Sequence, residues 1–530
     1  MSSQAIFMLV IALFACTALY LVRNTGRLLG WHLRRKTLTR RELILARVEA
    51  EQKAYPATIE RPSPKSEDEE WEKVPSSWSQ KPQDTKKGSE NWEGIIGNAG
   101  GGGERVLWAA ILATQKRWPR AVCVVYTGDH DATKAAILER VENRFNIHLH
   151  PPTVIFLYLS TRKYVLASMY PHFTLLGQSL GSLILAYDAF SLLVPDVFID
   201  TMGYAFTLAF SKFCFPRIPT GAYVHYPTIS TDMLGSLDAG AGKGLNAGTG
   251  SGWKGWAKKK YWHLFAKAYS WVGGNVDVVM TNSSWTQAHM RALWGPTRVR
   301  KRNISDIVVV FPPVAVEELE QAIEVSEASE TEREKALLYI AQFRPEKNHA
   351  LILRAFAGLT RSADYESKAA SKDAKLVLIG SVRHSDDATR VYDLRLLAHE
   401  LKIKENVEFI CDASWPEILN WLRKSSIGVN GMWNEHFGIG VVEYQAAGLI
   451  SVVNDSGGPK EDIVVEFDGG PTGFHASSDK EYAAAFYEAL SLPAKETIVM
   501  RQRARLSAKR FTEKAFTSSW TAQMERLLSI

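Results

Sequence analysis

Two acidic side chains toward the C-terminal end of the chain have the spacing of a sugar-nucleotide site. Glu435 lies in a glycine-containing loop, and Glu443 follows eight positions later, inside the helix predicted after that loop. The N-terminus of such a helix carries unpaired N–H groups and about half a positive charge, which suits a diphosphate. The two carboxylates can accept hydrogen bonds from a sugar and from a ribose. The pair indicates a glycosyltransferase, and a surface helix with a capping acid is the alternative.

A basic stretch in the same region could neutralise the diphosphate. Arg344 and Lys347 lie three positions apart, directly after a predicted strand. Arginine offers a bidentate fork and lysine a point charge, and both stabilise a phosphate leaving group. A solvated basic turn is the alternative, and the two acids nearby favour the functional interpretation.

Other candidate residues follow predicted strands earlier in the chain. His225 ends one strand, where a structural role and a functional role are both open. Gly102 and Gly103 belong to a four-glycine run before a predicted helix, and such glycines let the backbone approach a phosphate. Asp129 could hold a ribose, or together with Asp131 a metal, but acidic loops after strands are common, so we expect neither role.

Composition limits the class of protein. A chain of 530 residues exceeds one typical core, so two globular domains are expected. A net charge of +6 is modest at this length and does not favour nucleic-acid binding. The four cysteines show no paired spacing, which predicts no disulfide framework or zinc site and fits a reducing compartment.

The first 22 residues are predicted to cross a membrane once. Residues 5–22 form an uncharged apolar run of 18 residues, which as a helix spans roughly 27 Å. No basic side chain precedes this run, whereas several arginines follow it. A cleavable signal peptide would carry its basic residues first. The positive-inside rule therefore places the N-terminus in the lumen and the catalytic domains in the cytosol.

The remaining chain alternates apolar runs with helical patterns, which predicts an α/β protein with parallel sheets. A basic juxtamembrane segment and disordered linker is expected over 23–93. Two Rossmann-like domains facing a cleft would occupy 94–313 and 336–530, joined by an acidic connector over 314–335. The predicted strands are Val122–Tyr126, Val154–Tyr158, Val197–Asp200, Ala222–His225, Val276–Thr281, Ala336–Ile340, Leu376–Gly380, Val407–Ile410, Ile427–Val429 and Leu449–Val453.

Two further apolar segments have to be assigned. The mixed Trp, Tyr and Lys side chains of Trp253–Trp271 favour contact with a membrane headgroup layer, and a partly buried helix is the alternative. Thr174–Val194 contains two glycines and Asp188, so we expect a buried domain helix rather than a second crossing. The glycine-rich segment Gly235–Gly252 is expected to lack order.

These motifs resemble the retaining glycosyltransferases of the GT-B fold that carry a Glu-x7-Glu motif. Among them, the chain is most similar to the dolichol-linked oligosaccharide α-1,2-mannosyltransferases of the endoplasmic reticulum. The stretches that carry the resemblance are Asn98–Trp108, Tyr223–Leu234, Asn282–Thr286, Ala341–His349, Met432–Gly448 and Asn454–Lys460.

The resemblance implies a reaction and its partners. The donor would be GDP-mannose, and the acceptor a dolichyl-diphosphate chitobiose that already bears three mannoses. The enzyme would add the fourth and fifth mannoses at the cytosolic face of the endoplasmic reticulum membrane, with retained configuration. It would need no cofactor and no metal. Other mannosyltransferases of the same pathway are potential partners.

The resemblance also implies roles for individual residues. Glu435 would contact the donor mannose, and His225 would lie beside the reacting sugar, so these two are the catalytic candidates. Glu443 would hold the ribose, and the cations would bind the diphosphate. The complete set of donor-binding candidates is Arg344, Lys347, Glu443, Phe437, Gly438, Ile439, Gly102 and Gly103.

One departure from the family pattern concerns the first strand. The family has a fuller strand that ends in His-Pro-aromatic-Cys before the Asn-Ala-Gly run, whereas here Ile95–Gly97 leads directly into Asn98. A shortened strand could displace the glycine loop. This departure favours one alternative, a catalytically impaired scaffold subunit of a mannosyltransferase assembly. A related transferase with another donor or lipid acceptor is a second alternative, because it would keep the same motifs.

Deleting residues 2–22 should release the full remaining chain from membranes, because the apolar run would be gone. The measurement is sedimentation of membranes from cells that express each form, followed by detection of the chain in pellet and supernatant. Continued sedimentation of the shortened chain would contradict a single anchor. It would instead support membrane contact through Trp253–Trp271.

Overall fold

The computed structural model describes residues 3–55, 95–99, 104–237, 252–302, 306–361 and 373–530. Most of the predicted linker, most of the glycine-rich segment after residue 235, and both Gly102 and Gly103 lie outside these residues. The predictions made for them therefore stay predictions.

The first half of the chain forms a parallel sheet of seven strands in the order β3-β2-β1-β4-β5-β6-β7. This is the doubly wound order: β2 and β3 are added on one side of β1, and the strands from β4 onward are added on its other side. The strands are β1 (Ile95–Ala99), β2 (Val122–Thr127), β3 (Val154–Tyr158), β4 (Val197–Asp200), β5 (Thr220–Val224), β6 (Val278–Thr281) and β7 (Val308–Val309). The helices are α1 (Ser3–Ala54), α2 (Glu104–Arg117), α3 (Lys134–Phe145), α4 (Thr174–Leu192), α5 (Ala205–Cys214), α6 (Thr231–Gly235), α7 (Gly252–Gly273) and α8 (Ser284–Arg302).

The second half repeats this plan with six parallel strands in the order β10-β9-β8-β11-β12-β15. The strands are β8 (Glu334–Ile340), β9 (Lys375–Gly380), β10 (Val407–Cys411), β11 (Ser425–Asn430), β12 (Ile450–Asn454) and β15 (Gly473–Ala476), and a hairpin pairs β13 (Glu466–Phe467) with β14 (Gly470–Pro471). The helices are α9 (Val316–Ala322), α10 (Glu327–Glu330), α11 (His349–Arg361), α12 (Ser385–Glu400), α13 (Trp415–Lys424), α14 (Ile439–Ala446), α15 (Asp479–Ser491), α16 (Ala494–Ala508) and α17 (Glu513–Leu528).

All ten predicted strands are present, with ends that differ by up to two residues. Their central residues are buried on both faces, as β8 illustrates with Leu337, Leu338 and Tyr339 at most 1% exposed. A parallel sheet covered by helices on both sides requires such near-continuous apolar runs, which explains why the sequence displays them. The two-domain α/β architecture is confirmed.

The first strand differs from the prediction. Asn98 and Ala99, which the sequence assigned to the glycine loop, instead complete β1. They pair with Val125 and Tyr126 of β2, and β4 pairs with the same strand from its other side. β1 thus has five residues, including two that were expected in the turn, and four glycines stand between β1 and α2 in the sequence.

The N-terminal helix is longer than the predicted anchor, and α1 runs without interruption through the basic segment. Its second half packs on the first domain, where Leu33 is fully buried. Gly30 lies so close to this surface that an added Cβ would stand 2.1 Å from the carbonyl oxygen of Cys214. Arg41 also forms an ion pair of 2.6 Å with Asp196. The basic segment after residue 22 is therefore ordered where it touches the domain.

Among the described helices, α4 is the one that by length and composition could cross a membrane. Seven of its residues nevertheless pack in the first domain, and Phe190 there is fully buried. Its opposite face leaves Leu176, Leu180 and Ile184 exposed. The helix thus combines a core face with an apolar outer face.

The last helix returns to the first domain, although it follows the second in the sequence. Phe516, Trp520 and Met524 of α17 are buried in the core formed by α2 and the first sheet. The indole N–H of Trp520 donates to the hydroxyl of Thr114 at 3.2 Å. Arg117 pairs with Glu525 at 3.0 Å. The two domains are consequently joined twice, through the connector and through α17.

The connector itself is part of the second domain. Glu330 at the end of α10 accepts two hydrogen bonds from the buried guanidinium of Arg501, at 2.8 and 3.0 Å. The same guanidinium donates to the carbonyl oxygens of Ser426 and Gly448. The Arg501 guanidinium therefore links the connector to the start of β11 and to the turn that ends α14.

Replacing Arg501 by Ala should lower the melting temperature by about 10 °C. Removing one partner of a buried pair costs about 3–5 kcal/mol, and each kcal/mol lowers the melting temperature of a domain this size by roughly 2–4 °C. Lys495→Ala, on the exposed face of the same helix, is the matched control. Calorimetry of both variants measures the difference, and equal melting temperatures would show that this pair does not hold the connector.

Candidate active site

The predicted site residues are brought together where loops after strands of the two sheets contact each other. Glu435 lies in the loop between β11 and α14, and Lys347 in the loop after β8. His225 directly follows β5 of the first sheet. Ligands of doubly wound sheets bind beyond the carboxyl ends of the strands, and all three residues lie there.

Glu435 is held by an ion pair and by its own backbone. Its carboxylate is 2.5 Å from the ammonium of Lys347, and both side chains are mostly buried. The N–H of Gly458 donates to the carbonyl oxygen of Glu435 at 2.8 Å. Lys347 is fixed in turn, because Tyr339 donates its hydroxyl to the Lys347 carbonyl at 2.5 Å. The acid and one of the two cations predicted from sequence therefore form a single unit.

Two glycines after β12 make this arrangement possible. A Cβ added to Gly457 would stand 2.3 Å from the carbonyl oxygen of Glu435, and one added to Gly458 would stand 2.6 Å from the Cα of Phe437. Gly457 also has φ +70°, a conformation that favours glycine. Any larger residue would push this loop away from Glu435.

The N-terminus of α14 is free of side-chain caps. Gly438 precedes the helix with φ +104° and provides no capping side chain. Phe437 anchors this turn by packing between Phe311 and Phe511, at ring-centroid distances of 5.9 and 5.4 Å. Ile439 begins the helix and is 39% exposed. The uncapped N–H groups and the helix dipole make this turn suitable for an anion.

Arg344 lies at the rim of this site rather than inside it. Its side chain is 42% exposed, and its guanidinium is 3.9 Å from the carboxylate of Glu346. Such an exposed contact contributes little to stability. The guanidinium can therefore move toward a ligand, whereas the Lys347 ammonium already forms an ion pair with Glu435.

Glu443 lies on α14, as predicted, and Gly448 follows the helix with φ +77°, a conformation that favours glycine. Burial raises the pKa of Glu443 to about 7, although the positive charge of Arg105 opposes this shift. Arg105 is the second residue of α2, directly after the glycine run. Glu443 thus lies near the N-terminus of α2.

His225 is a neutral imidazole at neutral pH. Burial, and to a lesser degree the nearby His436, lower the pKa of His225 to about 4. Its Nε2 atom is buried and has no hydrogen-bond partner among the described residues. A buried polar atom without a partner is costly, which suggests that a ligand completes this site.

Several residues at the site were not predicted from the sequence. His436 stacks on Tyr226 at a centroid distance of 4.1 Å, and Trp285 lies 5.7 Å from the same imidazole. Asn434 donates to the carboxylate of Asp232 at 2.6 Å. The signal that could have found these residues is their place in the stretches that resemble the family, Tyr223–Leu234, Asn282–Thr286 and Met432–Gly448.

The two aspartates considered as metal ligands lie elsewhere in the first domain. Asp129 borders a cavity of about 480 Å³ beside β2 and α2, and its N–H donates to the Thr127 hydroxyl. In the described part of the chain, no group of three or more His, Cys, Asp or Glu side chains could hold a metal ion. The expectation that Asp129 and Asp131 hold no metal stays a prediction.

Two protein families match the chain, one over most of the first domain and one over most of the second. Residues 95–294 match the family described as "ALG11 mannosyltransferase N-terminus". Residues 321–508 match "Glycosyl transferases group 1". The second match includes Lys347, Glu435 and Glu443.

Two relatives are similar over most of the chain. The first is a "GDP-Man:Man(3)GlcNAc(2)-PP-Dol alpha-1,2-mannosyltransferase" of Neurospora crassa, which is 62% identical over 524 residues and covers 96% of this chain and 93% of the relative. A human protein of the same name is 46% identical over 433 residues, with 81% of this chain and 85% of the relative covered.

A solved structure supports the fold. The glycosyltransferase from Rickettsia africae superimposes with a TM-score of 0.52 and 14% identity, over 82% of this chain and 99% of that structure. At this identity the likeness concerns the fold alone. Together with the two parallel sheets, it identifies the GT-B architecture.

Replacing Glu443 by Gln should stabilise the protein more at pH 8 than at pH 5. Burial raises the pKa of this carboxyl from an ordinary 4.5 to about 7, so ionisation destabilises the folded state as the pH rises through this interval. Melting temperatures at both pH values measure the effect, with the exposed Glu408→Gln as control. A gain at pH 8 no larger than at pH 5 would contradict the raised pKa.

Proposed function

This chain belongs to the family of GDP-Man:Man(3)GlcNAc(2)-PP-Dol alpha-1,2-mannosyltransferases, and on that premise we propose its substrates, site and mechanism. The chain transfers mannose from GDP-mannose to the dolichyl-diphosphate oligosaccharide that bears three mannoses. It adds the fourth and fifth mannoses in α-1,2 linkage. The reaction belongs to the synthesis of the lipid-linked oligosaccharide for protein N-glycosylation.

The observation that carries the proposed site is the ion pair of Glu435 with Lys347 beside the uncapped N-terminus of α14. A nucleotide sugar joins a diphosphate to a sugar through one oxygen atom. A site for it needs a cation and a sugar-binding carboxylate within a few ångströms of each other. The pair at 2.5 Å supplies both, and the helix N-terminus supplies N–H donors for the phosphates.

The donor is bound by several parts of the second domain. Glu435 accepts hydrogen bonds from mannose hydroxyls, with help from the backbone of residues 437–439. Lys347 and Arg344 neutralise the diphosphate, the former in place and the latter by moving in from the rim. Glu443 binds the ribose, and Gly102 and Gly103 approach the phosphates from the first domain.

Transfer proceeds with retention of the α configuration and without a protein nucleophile. The bond from mannose C1 to the phosphate oxygen breaks, and GDP departs with its charge stabilised by the cations and the helix N-terminus. The acceptor hydroxyl attacks C1 from the same face and gives its proton to the departing phosphate oxygen. The neutral His225 accepts a hydrogen bond from a hydroxyl of the reacting sugar. No metal or cofactor takes part.

The proposal includes a location. The apolar run of residues 5–22 crosses the membrane of the endoplasmic reticulum once, and both domains lie in the cytosol. The arginines that follow this run support that orientation. Other mannosyltransferases that extend the same lipid are proposed as partners at this membrane.

Mannose transfer by the purified chain tests this proposal directly. GDP-mannose and a lipid-linked trimannosyl chitobiose are incubated with the chain, with and without chelator, and the products are separated by mass. We expect two α-linked mannoses and no effect of the chelator. Absence of transfer, with GDP-mannose still bound, would contradict the proposed activity and point to the altered β1 as the cause.

Replacing Glu435 by Ala should lower turnover by about tenfold or more, because a carboxylate contact with the reacting sugar is lost. Binding of GDP alone should change much less, since GDP has no mannose. Glu408→Ala, on an edge strand of the same sheet, is the control for a surface acid. Unchanged turnover in the Glu435 variant would remove this residue from the site.

A further inference from the structure

The three consecutive residues 434–436 make contacts with different parts of the molecule. Asn434 donates its side-chain amide to Asp232 of α6, in the first domain, at 2.6 Å. Glu435 turns back to Lys347 of its own domain. His436 lies on the ring of Tyr226, again in the first domain. The acid of the site is therefore flanked on both sides by contacts that cross the domain boundary.

The aromatic contact is a nearly parallel stack. The ring of His436 makes angles of 22° with Tyr226 and 17° with Trp285, and the two first-domain rings are inclined by only 9°. Burial lowers the pKa of His436 to about 4, although Glu435 opposes this effect. The imidazole is thus neutral at neutral pH, and it stacks without burying a charge.

The polar contact is connected to the stack on the first-domain side. Nε2 of His289 lies 3.5 Å from the Asp232 carboxylate, and Nδ1 of the same ring is 2.5 Å from the Thr231 hydroxyl. His289 also meets Trp285 edge-on at 4.2 Å. The residues that receive Asn434 and His436 consequently form one connected group.

On the second-domain side, the loop has little freedom. Asn434 adopts a left-handed conformation with φ +53°, and its N–H donates to the hydroxyl of Ser456 at 2.8 Å. The backbone of Glu435 lies against Gly457, and the backbone of His436 and Phe437 lies against Gly458. A displacement of either neighbour would therefore move the Glu435 carboxylate rather than be absorbed by the loop.

We propose that these contacts form an interdomain clasp that sets the position of Glu435 when the cleft is closed. The clasp consists of Tyr226, Trp285 and Asp232 on the first domain and of Asn434 and His436 on the second. His436 is a positioning residue, because it acts through Glu435 and its ring faces aromatic side chains. The inference rests on the proposed function for its consequence in turnover, but the clasp itself is a property of the two domains.

Two variants of His436 test the kinetic consequence in the full-length chain in detergent. His436→Ala should lower kcat at least tenfold while changing the Kd for GDP-mannose, measured by calorimetry, less than threefold. His436→Phe keeps a flat, uncharged ring and should recover kcat to within threefold of the original chain. Equal losses in both variants would overturn the proposal, because they would show that a ring nitrogen is required. Unchanged kcat in His436→Ala would also overturn it.

A second experiment needs no turnover. Hydrogen–deuterium exchange of the backbone over residues 431–438 should accelerate at least threefold in Tyr226→Ala and stay unchanged in Tyr226→Phe. Tyr392→Ala, which removes a ring 68% exposed on the second domain, is the control. Unchanged exchange in Tyr226→Ala would overturn the clasp. Absent mannose transfer by the original chain would instead overturn the proposed function, so the two failures are distinguishable.

Discussion

The contact between the Glu435 carboxylate and the Lys347 ammonium joins the loops that follow β11 and β8, the two adjacent central strands of the second sheet. The order in which strands are added to that sheet reverses between β8 and β11. The connections after these two strands therefore lead to opposite faces of the sheet and leave a crevice at the strand ends. Much of the nearby structure keeps this pair in place. Gly457 leaves room for the Glu435 backbone and Gly458 for the Phe437 backbone. Tyr339 donates to the Lys347 carbonyl, and Phe437 anchors the turn into α14.

The connection of the two domains is the second constraint on the site. Phe511 is buried in the second domain and Phe516 in the first, so the chain crosses between them within a few residues. The first domain also contacts the short helical turn Pro459–Ile463 of the second domain, where the N–H of Ser284 donates to the Asp462 carboxylate at 2.8 Å. The cleft is therefore bounded by short covalent and polar links. Because α17 and the connector both join the two domains, they restrict the motion of one domain relative to the other.

The sequence predicted what depends on local pattern. Buried parallel strands are continuous apolar runs, so all ten predicted strands were found. The turn from the Glu435 loop into α14 could also be predicted, from its glycines and its two acids. Features set by tertiary contact were not legible. The recruitment of Asn98 into β1 follows from pairing with β2 and β4, and the return of α17 follows from Trp520 meeting the first core. His436 looked like a loop residue because its partners are more than 150 positions away.

The uninterrupted course of α1 has a consequence for how the chain would stand at a bilayer. A helix of 52 residues is roughly 78 Å long, and about half of that length is fixed to the first domain. A lipid-embedded first half would leave no swivel between bilayer and protein. The inclination of the helix would then set the height and tilt of the cleft above the lipid headgroups. A glycine pair inserted near residue 23 would interrupt the helix and let the domains reorient relative to the bilayer.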